Sequence, residues 1–200
     1  MSLPTQYTVT LPDWVADEVA GASLATDDDK MALVNRLARR NFTEKTGGPF
    51  AALVVENGKL VSAGVNLVLA SGLSSSHAEV VALALAQTAV GNWDLGADGA
   101  KRELIVNWRP CVQCYGATMW SGVTRLVVAG DGPELEQLTK FDEGPMVGDW
   151  AAQFEARGIS VTQDVQREEA LEVYRQYGAF VERGDVTVYN GRGAGPIEKA

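Results

Sequence analysis

The sequence predicts an α/β protein, a three-layer α/β/α sandwich in which a mixed five-stranded sheet lies between helical layers. Two observations carry that prediction. A strand, turn, strand pattern occupies residues 50–66, and short β-rich apolar runs then alternate with helical stretches as far as residue 182. A hairpin supplies antiparallel strands and strand–helix–strand crossovers supply parallel ones, so the sheet is mixed and needs cover on both faces.

The elements follow in order. Between Thr26 and Thr46 the apolar residues Met31, Val34, Leu37, Ala38 and Phe42 recur at helical spacing, and Asp27, Asp28 and Asp29 load the first turn with the charge that the helix dipole favours there. Gly47-Gly48-Pro49 ends that helix. Phe50–Glu56 and Lys59–Asn66 read as strands joined at Asn57-Gly58, a strong hairpin dipeptide. After the polar run Ser71–Ser76, His77–Val90 is apolar nearly all round and reads as a helix buried against the sheet. Glu103–Trp108 is a strand, Cys111–Ser121 a helix that starts beside Pro110, and Thr124–Ala129 the next strand. Trp150–Arg157 follows as a helix, Ile159–Val165 as the fifth strand, and Glu168–Glu182 as a last helix with Leu171, Tyr174, Tyr177 and Val181 inward. A single domain is expected, with its core at about residues 26–183, an N-terminal extension at 1–25 and a C-terminal tail at 184–200.

The chain of 200 residues carries 17 Lys and Arg against 26 Asp and Glu, a formal net charge of −9. Nonspecific nucleic-acid binding requires neutralising phosphates with basic residues, so no nucleic-acid partner is expected, and a small uncharged substrate fits the balance better. Arg36, Arg39 and Arg40 are the densest basic group and fall on what reads as the outer face of one helix. No stretch is long and apolar enough to span a membrane, and Met1–Thr10 lacks a basic segment followed by an apolar run, so a cytoplasmic protein with no membrane partner is expected.

The one histidine of the chain lies in His77-Ala78-Glu79 and its two cysteines in Pro110-Cys111-Val112-Gln113-Cys114. One imidazole and two thiolates are the ligand set of a catalytic zinc with its fourth position open. Cysteines three apart share a helix face, so His77, Cys111 and Cys114 are the candidate ligands of one zinc per chain. Both motifs open predicted helices, whose exposed amides favour thiolates. Two thiolates offset the divalent charge, so water on such a zinc needs a base, and Glu79 is placed to shuttle its proton. Structural readings compete for each residue. Ser76 and Glu79 fit a capping box, a lone histidine at a helix start is often only packed, and a CxxC pair alone is redox-active or structural as often as catalytic.

Taken together, HxE followed by PCxxC resembles the signature of zinc-dependent nucleobase deaminases, and the sequence resembles the cytidine deaminase-like superfamily over roughly residues 28–165. Gly47-Gly48-Pro49-Phe50, Asn66, Trp120 and Phe141-Asp142-Glu143 resemble more specifically the bacterial guanine deaminases. That resemblance implies hydrolytic deamination of a free purine base, most simply guanine to xanthine and ammonia, with a zinc-bound water as nucleophile, Glu79 as proton shuttle and Glu143 as a second catalytic carboxylate. It also implies a substrate pocket of Phe50, Asn66, Ala78, Trp120, Asp142 and Tyr189, a role in purine catabolism, and a homodimer whose C-terminal segment caps a site, its own or the partner's. The physical roles are plausible in themselves. Phe50 and Trp120 suit packing on a planar ring, Asn66 suits a ring carbonyl or nitrogen edge, and a carboxylate at Glu143 or Asp142 suits guanine's adjacent N1–H and 2-amino donors. Val186–Gly195, with Tyr189 among glycines, is the candidate lid; Gly191-Arg192-Gly193 precedes no helix and is no phosphate loop.

The sequence departs from that pattern at Arg109, where relatives commonly carry Glu, and at Val112-Gln113, where they carry Pro-Met. Zinc ligation tolerates those changes, while substrate choice is open to them. The alternatives are a deaminase of another aminated ring (cytosine, a nucleoside, an aminotriazine or a pterin), a tRNA adenosine deaminase, which the acidic charge disfavours, and a non-catalytic structural zinc protein.

Overall fold

The computed structural model of the chain describes residues 3–191 and 193–194. Two helices precede the sheet: α1 (Trp14–Val19) and α2 (Asp27–Thr43). Helix α2 starts at a capping box, in which the Thr26 hydroxyl accepts from the Asp29 amide and the Asp29 carboxylate accepts from the Thr26 amide, each at 3.1 Å. Strands β1 (Ala51–Glu56) and β2 (Lys59–Val65) form the expected antiparallel hairpin. Asn57 and Gly58 sit at φ 51° and 72°, the left-handed pair that matches the twist of a two-residue hairpin.

After a single turn, α3 (Val68–Ser71), comes α4 (Ala78–Val90), and then β3 (Arg102–Val106), α5 (Val112–Trp120) and β4 (Arg125–Val128). The chain continues through α6 (Glu134–Thr139), α7 (Trp150–Glu155), β5 (Ser160–Thr162) and α8 (Arg167–Glu182) to the two-residue strands β6 (Tyr189–Asn190) and β7 (Gly193–Ala194). The main sheet has the order β2-β1-β3-β4-β5, with β1 antiparallel to β2 and β3, and β3, β4 and β5 parallel.

Strand alternation divides the interior into two layers. Ala51, Leu53 and Val55 of β1 join one core with Met31, Leu37 and Phe42 of α2 and Val173, Tyr174 and Tyr177 of α8. Ala52 and Val54 face the other way, onto Ala78, Ala82 and Ala86 of α4 and Trp150 and Phe154 of α7. This is the expected sandwich. The terminal segments belong to it more closely than expected. Val15 and Leu24 are buried in the first layer, Trp14 and Val19 pack on it, and Val188 of the tail is 5% exposed. Helices α1, α3 and α6 went unseen in the sequence because four to six residues are too few for a helical period to register. The fifth strand is shorter than expected, three residues on the sheet edge.

Small residues set how closely α4 lies on the sheet. A Cβ built on Gly64 of β2 would come within 2.3 Å of the Ala78 carbonyl oxygen and 2.5 Å of the Ala82 nitrogen. Only glycine permits that approach, which seats the start of α4 on the end of β2. Gly64→Ala is expected to lower stability by about 1–3 kcal/mol, the range for overpacking a filled core, and thermal unfolding of the purified variant measures it.

Candidate active site

The site forms where several chain reversals meet at one end of the sheet. Phe50 lies just before β1 and Asn66 just after β2, and the antiparallel hairpin places both at the same end as the exit of β3. That exit leads through Arg109 and Pro110 into α5, and α4 starts alongside. His77 is the N-cap of α4 and Cys111 the N-cap of α5, both in extended backbone geometry, with Cys114 one turn into α5. Two helix N-termini therefore converge, as their motifs imply. The competing serine cap does not form. The Ser76 hydroxyl accepts from Ser71 at 2.9 Å, and no side chain caps α4. Glu79 is thereby free of the capping role that the sequence left open for it.

One nitrogen of His77 and the sulfurs of Cys111 and Cys114 lie within 4.8 Å of one another, and Cys111 Sγ is 3.4 Å from His77 Nδ1. Tetrahedral zinc with bonds of about 2.0–2.3 Å places its ligand atoms about 3.5–3.8 Å apart, so a small closure of the cluster completes such a site. Its electrostatics already suit a cation. The neighbouring Cys114 thiol, helped by His77, holds Cys111 down to about 4 against the opposing effect of burial. Burial pushes Cys114 well above the thiol range, with the charges of Cys111 and Glu79 adding to it. Burial also raises Glu79, again with Cys111 contributing, and the Glu79 carboxyl and Cys114 thiol share a hydrogen bond. A dication among these groups reverses the penalty by stabilising thiolates and carboxylate together.

A cavity of about 290 Å³ opens from the cluster. Phe50, Asn66, Glu79, Asp142, Glu143 and Tyr189 all line it, together with His77 and Cys111. Glu143 is buried, its amide donates to Glu136 Oε1 at 3.2 Å, and its carbonyl accepts from the Val112 amide at 3.1 Å. Burial, with Cys111 and Glu79 adding, pushes the Glu143 carboxyl well up, while Arg109 pulls it down. The Asn66 amide nitrogen donates to the Tyr189 hydroxyl at 2.5 Å, and its backbone carbonyl accepts from Asn41 Nδ2 at 2.8 Å. Asp142 is exposed at the rim, where its amide donates to Asn190 Oδ1 at 2.9 Å. The tail thus covers the cavity of its own chain as far as it is described; Arg192 and Gly195 of the candidate lid lie outside the described residues.

Two expected pocket residues stand elsewhere. Trp120 is 79% exposed and does not line the cavity. It is the last residue of α5, six positions beyond Cys114, which on a helix is about 9 Å along the axis and about 240° around it. The aromatic wall is supplied instead by Phe50, Phe141 and Trp108, with Phe50 and Phe141 edge to face at 5.3 Å. Ala78 packs in the core layer with Ala52 and Val54, so its methyl group is not part of the lining either. Phe141 and Arg109, which the resemblance and the departure from it brought forward, line the cavity, and Trp108 is a cavity residue that sequence reasoning did not single out. Its nearness to Cys111 in the chain was the available signal.

Residues 24–130 match the model of the cytidine and deoxycytidylate deaminase zinc-binding region. The chain belongs to that family of zinc-dependent deaminases. A solved guanine deaminase from Nitrosomonas europaea is 38% identical, with a TM-score of 0.82 over 90% of this chain and 100% of its own. Comparable solved structures, at TM-scores of 0.82 and 0.81, hold 8-azaguanine or 2,6-diaminopurine. Among curated proteins, the guanine deaminase of Bacillus subtilis is 35% identical over 38% of this chain and 46% of its own length. The tRNA-specific adenosine deaminase of Buchnera aphidicola subsp. Schizaphis graminum is 31% identical over 48% of this chain and 62% of its own. The match to these two curated relatives thus spans about half of their length. The resemblance to guanine deaminases and the cytidine deaminase-like fold read from the motifs are borne out, as is zinc as the cofactor.

Cys114→Ala removes a buried ligand that no other thiol replaces. Its zinc content, by elemental analysis of the purified protein, is expected to fall from about one ion per chain to near none.

Proposed function

We propose that this deaminase acts on a free purine base and converts guanine and water to xanthine and ammonia. The observation that carries the reading is the buried Glu143 carboxyl facing an aromatic-walled cavity that also contains Glu79. Related structures that hold 8-azaguanine or 2,6-diaminopurine support it.

His77, Cys111 and Cys114 would hold zinc, which would supply a water of lowered pKa. The remaining steps belong to side chains. Phe50, Phe141 and Trp108 enclose the flat ring and exclude bulk water. Glu143 accepts from N1–H and the 2-amino group and so presents C2 toward Glu79 and the cluster. Asn66 takes a ring acceptor or donor with an amide that does both, and the hydroxyl of Tyr189 closes over it. As oxygen adds to C2, Glu79 accepts the water proton and delivers it to the neighbouring ring nitrogen. The second water proton, now on the oxygen added to C2, passes by way of Glu79 or Glu143 to the 2-amino group, so that the C2 carbonyl forms as the C2–N bond breaks and ammonia leaves. Asp142, at the rim, orders the loop that carries Glu143 through the Gly144 amide, which donates to its Oδ1 at 3.1 Å.

The same reading takes the protein as a cytoplasmic homodimer of purine catabolism with no nucleic-acid partner. The charge of −9 supports the last point, and exposed Trp120 and Trp93 support a self-association surface. Among the described residues no helix is long and apolar enough to cross a membrane.

Glu79→Gln keeps the size of the side chain but removes the base. It is expected to retain zinc while turnover falls by about a thousandfold, read as ammonia release. Release of the fold on chelation with no activity on any base would favour a structural zinc instead. On a panel of guanine, adenine, cytosine, guanosine, cytidine and aminotriazines, guanine is expected to lead. A preference for cytosine or a nucleoside would keep the zinc chemistry and overturn the roles of Asn66 and Glu143. Glu143→Gln is expected to weaken both KM and kcat, and unchanged turnover would remove Glu143 from the mechanism.

A further inference from the structure

The cavity wall is acidic, with Glu79, Asp142 and Glu143 around it, and among the described residues lining it Arg109 is the one Lys or Arg. The Arg109 side chain is only 11% exposed, and its Nε stands 2.6 Å from Asp131 Oδ1. Its backbone amide donates to the Gly130 carbonyl at 2.8 Å, which fixes it at the mouth of β3 and β4. Nε and Nη1 are both buried with no hydrogen bond, so the ion pair with Asp131 steers a guanidinium whose donors packing has otherwise left unsatisfied.

Asp131 is itself tied down. Its Oδ2 accepts from Trp150 Nε1 at 2.7 Å and its Oδ1 from the Gly132 amide at 2.6 Å. Trp150 begins α7, directly after the loop that carries Glu143. One carboxylate thus joins the approach to the cysteine pair with the far end of the Glu143 loop. A buried arginine with a single partner is costly to keep, and its effect here is to set a positive charge among carboxylates that would otherwise repel one another.

We infer that Arg109, steered by Asp131, is a specificity-determining residue: it is the counter-charge that holds Glu143 ready as an acceptor for a neutral ring bearing adjacent N–H donors. Asp131 is a positioning residue that acts through Arg109. The inference rests on the proposed ring-binding role of Glu143. Without the cation, buried Glu143 faces the charges of Cys111, Glu79 and Glu136 alone and gives up the charge-assisted pair of hydrogen bonds that orients the ring.

The test is calorimetric titration of the zinc-loaded protein with 8-azaguanine, beside steady-state kinetics on guanine, for Arg109→Gln, Arg109→Lys, Asp131→Asn and the Arg109→Gln/Asp131→Asn pair. Arg109→Gln is expected to weaken binding by about tenfold or more, the value of one charged hydrogen bond, with KM rising more than kcat falls. Arg109→Lys recovers most of that loss, Asp131→Asn reproduces part of it, and the double variant is no worse than Arg109→Gln alone. Native affinity and KM in Arg109→Gln overturn the inference, as does a lowered thermal midpoint with native affinity. If Arg109→Gln does not fold, Asp131→Asn decides: weaker binding at a native thermal midpoint supports the role and native binding overturns it. Failure of the native protein to turn over guanine while it still binds 8-azaguanine sinks the proposed reaction and leaves this inference to the binding data. No binding by the native protein overturns both.

Discussion

The meeting of two helix N-termini over one end of the sheet is the constraint on which the rest of this site depends. His77 and Cys111 each occupy the residue where extended backbone turns into helix, and Cys114 follows on the same face one turn later. Amide groups at both starts point toward the cluster and favour the anionic form of sulfur. Neither helix could be drawn back without separating the imidazole from the thiols. The approach is fixed from below by backbone, since Gly64 lets α4 touch β2 and the turn at Gly47 is just as tight. A Cβ on Gly47 would stand 1.9 Å from the Asn66 carbonyl oxygen, so the loop that delivers Phe50 and the residue that ends β2 are packed backbone to backbone.

Around that fixed cluster the pocket is built from side chains brought in over long distances in the chain. Asn41 illustrates how. Its amide nitrogen donates to the carbonyls of both Gly48 and Asn66 at 2.8 Å, and its oxygen accepts from the Thr46 hydroxyl at 2.6 Å. A buried amide whose donors and acceptor are all engaged is rigid, and the rigidity passes to Asn66. Asn107 does the same for the other wall, with its amide bonded to the Pro49 carbonyl and the Ala51 amide. Behind it the Tyr174 hydroxyl donates to the Asn107 carbonyl at 2.8 Å and anchors α8 to the base of the pocket. The polar residues buried under the cavity are thus a scaffold, and the cavity residues that face the ring need little reorganisation when it arrives.

How much of this was legible in the sequence follows from how local each signal is. The sandwich was readable because its cues are short-range: Asn57-Gly58 forces one hairpin, and the periods of 2 and 3.6 mark the strands and long helices. The metal ligands were readable for a different reason. With one histidine and two cysteines in the chain, there was no choice among imidazole and thiolate donors. Trp120 was placed in the pocket by the family resemblance, which carries no direction for a side chain at the end of a helix, and the helix turns it to solvent. Phe141, which does form the wall, stacks on Tyr177 of α8 at 5.6 Å and meets Tyr189 of the tail at 5.0 Å, contacts that span more than thirty-five residues and leave no local pattern. The short helix α1 and the buried Val188 were hidden in the same way, because their place in the core is decided by what packs on them.

The last constraint is one of charge. One thiol, two buried carboxyls and an exposed aspartate line a single cavity, with a second buried thiol just behind it, and burial makes negative charge on the carboxyls costly. A zinc ion offsets the charge at the sulfurs, where His77, Cys111 and Cys114 meet. Glu143 keeps a cost of its own, because burial pushes its carboxyl upward and the charges of Cys111 and Glu79 add to it. A neutral ring with two adjacent N–H donors relieves part of that cost, because hydrogen bonds to the carboxylate replace lost water. Arg109, which pulls the carboxyl down, offsets a further part from beside the ring's own contacts. The residue inferred to tune the choice of ring thus precedes the cysteine pair without being one of the candidate metal ligands.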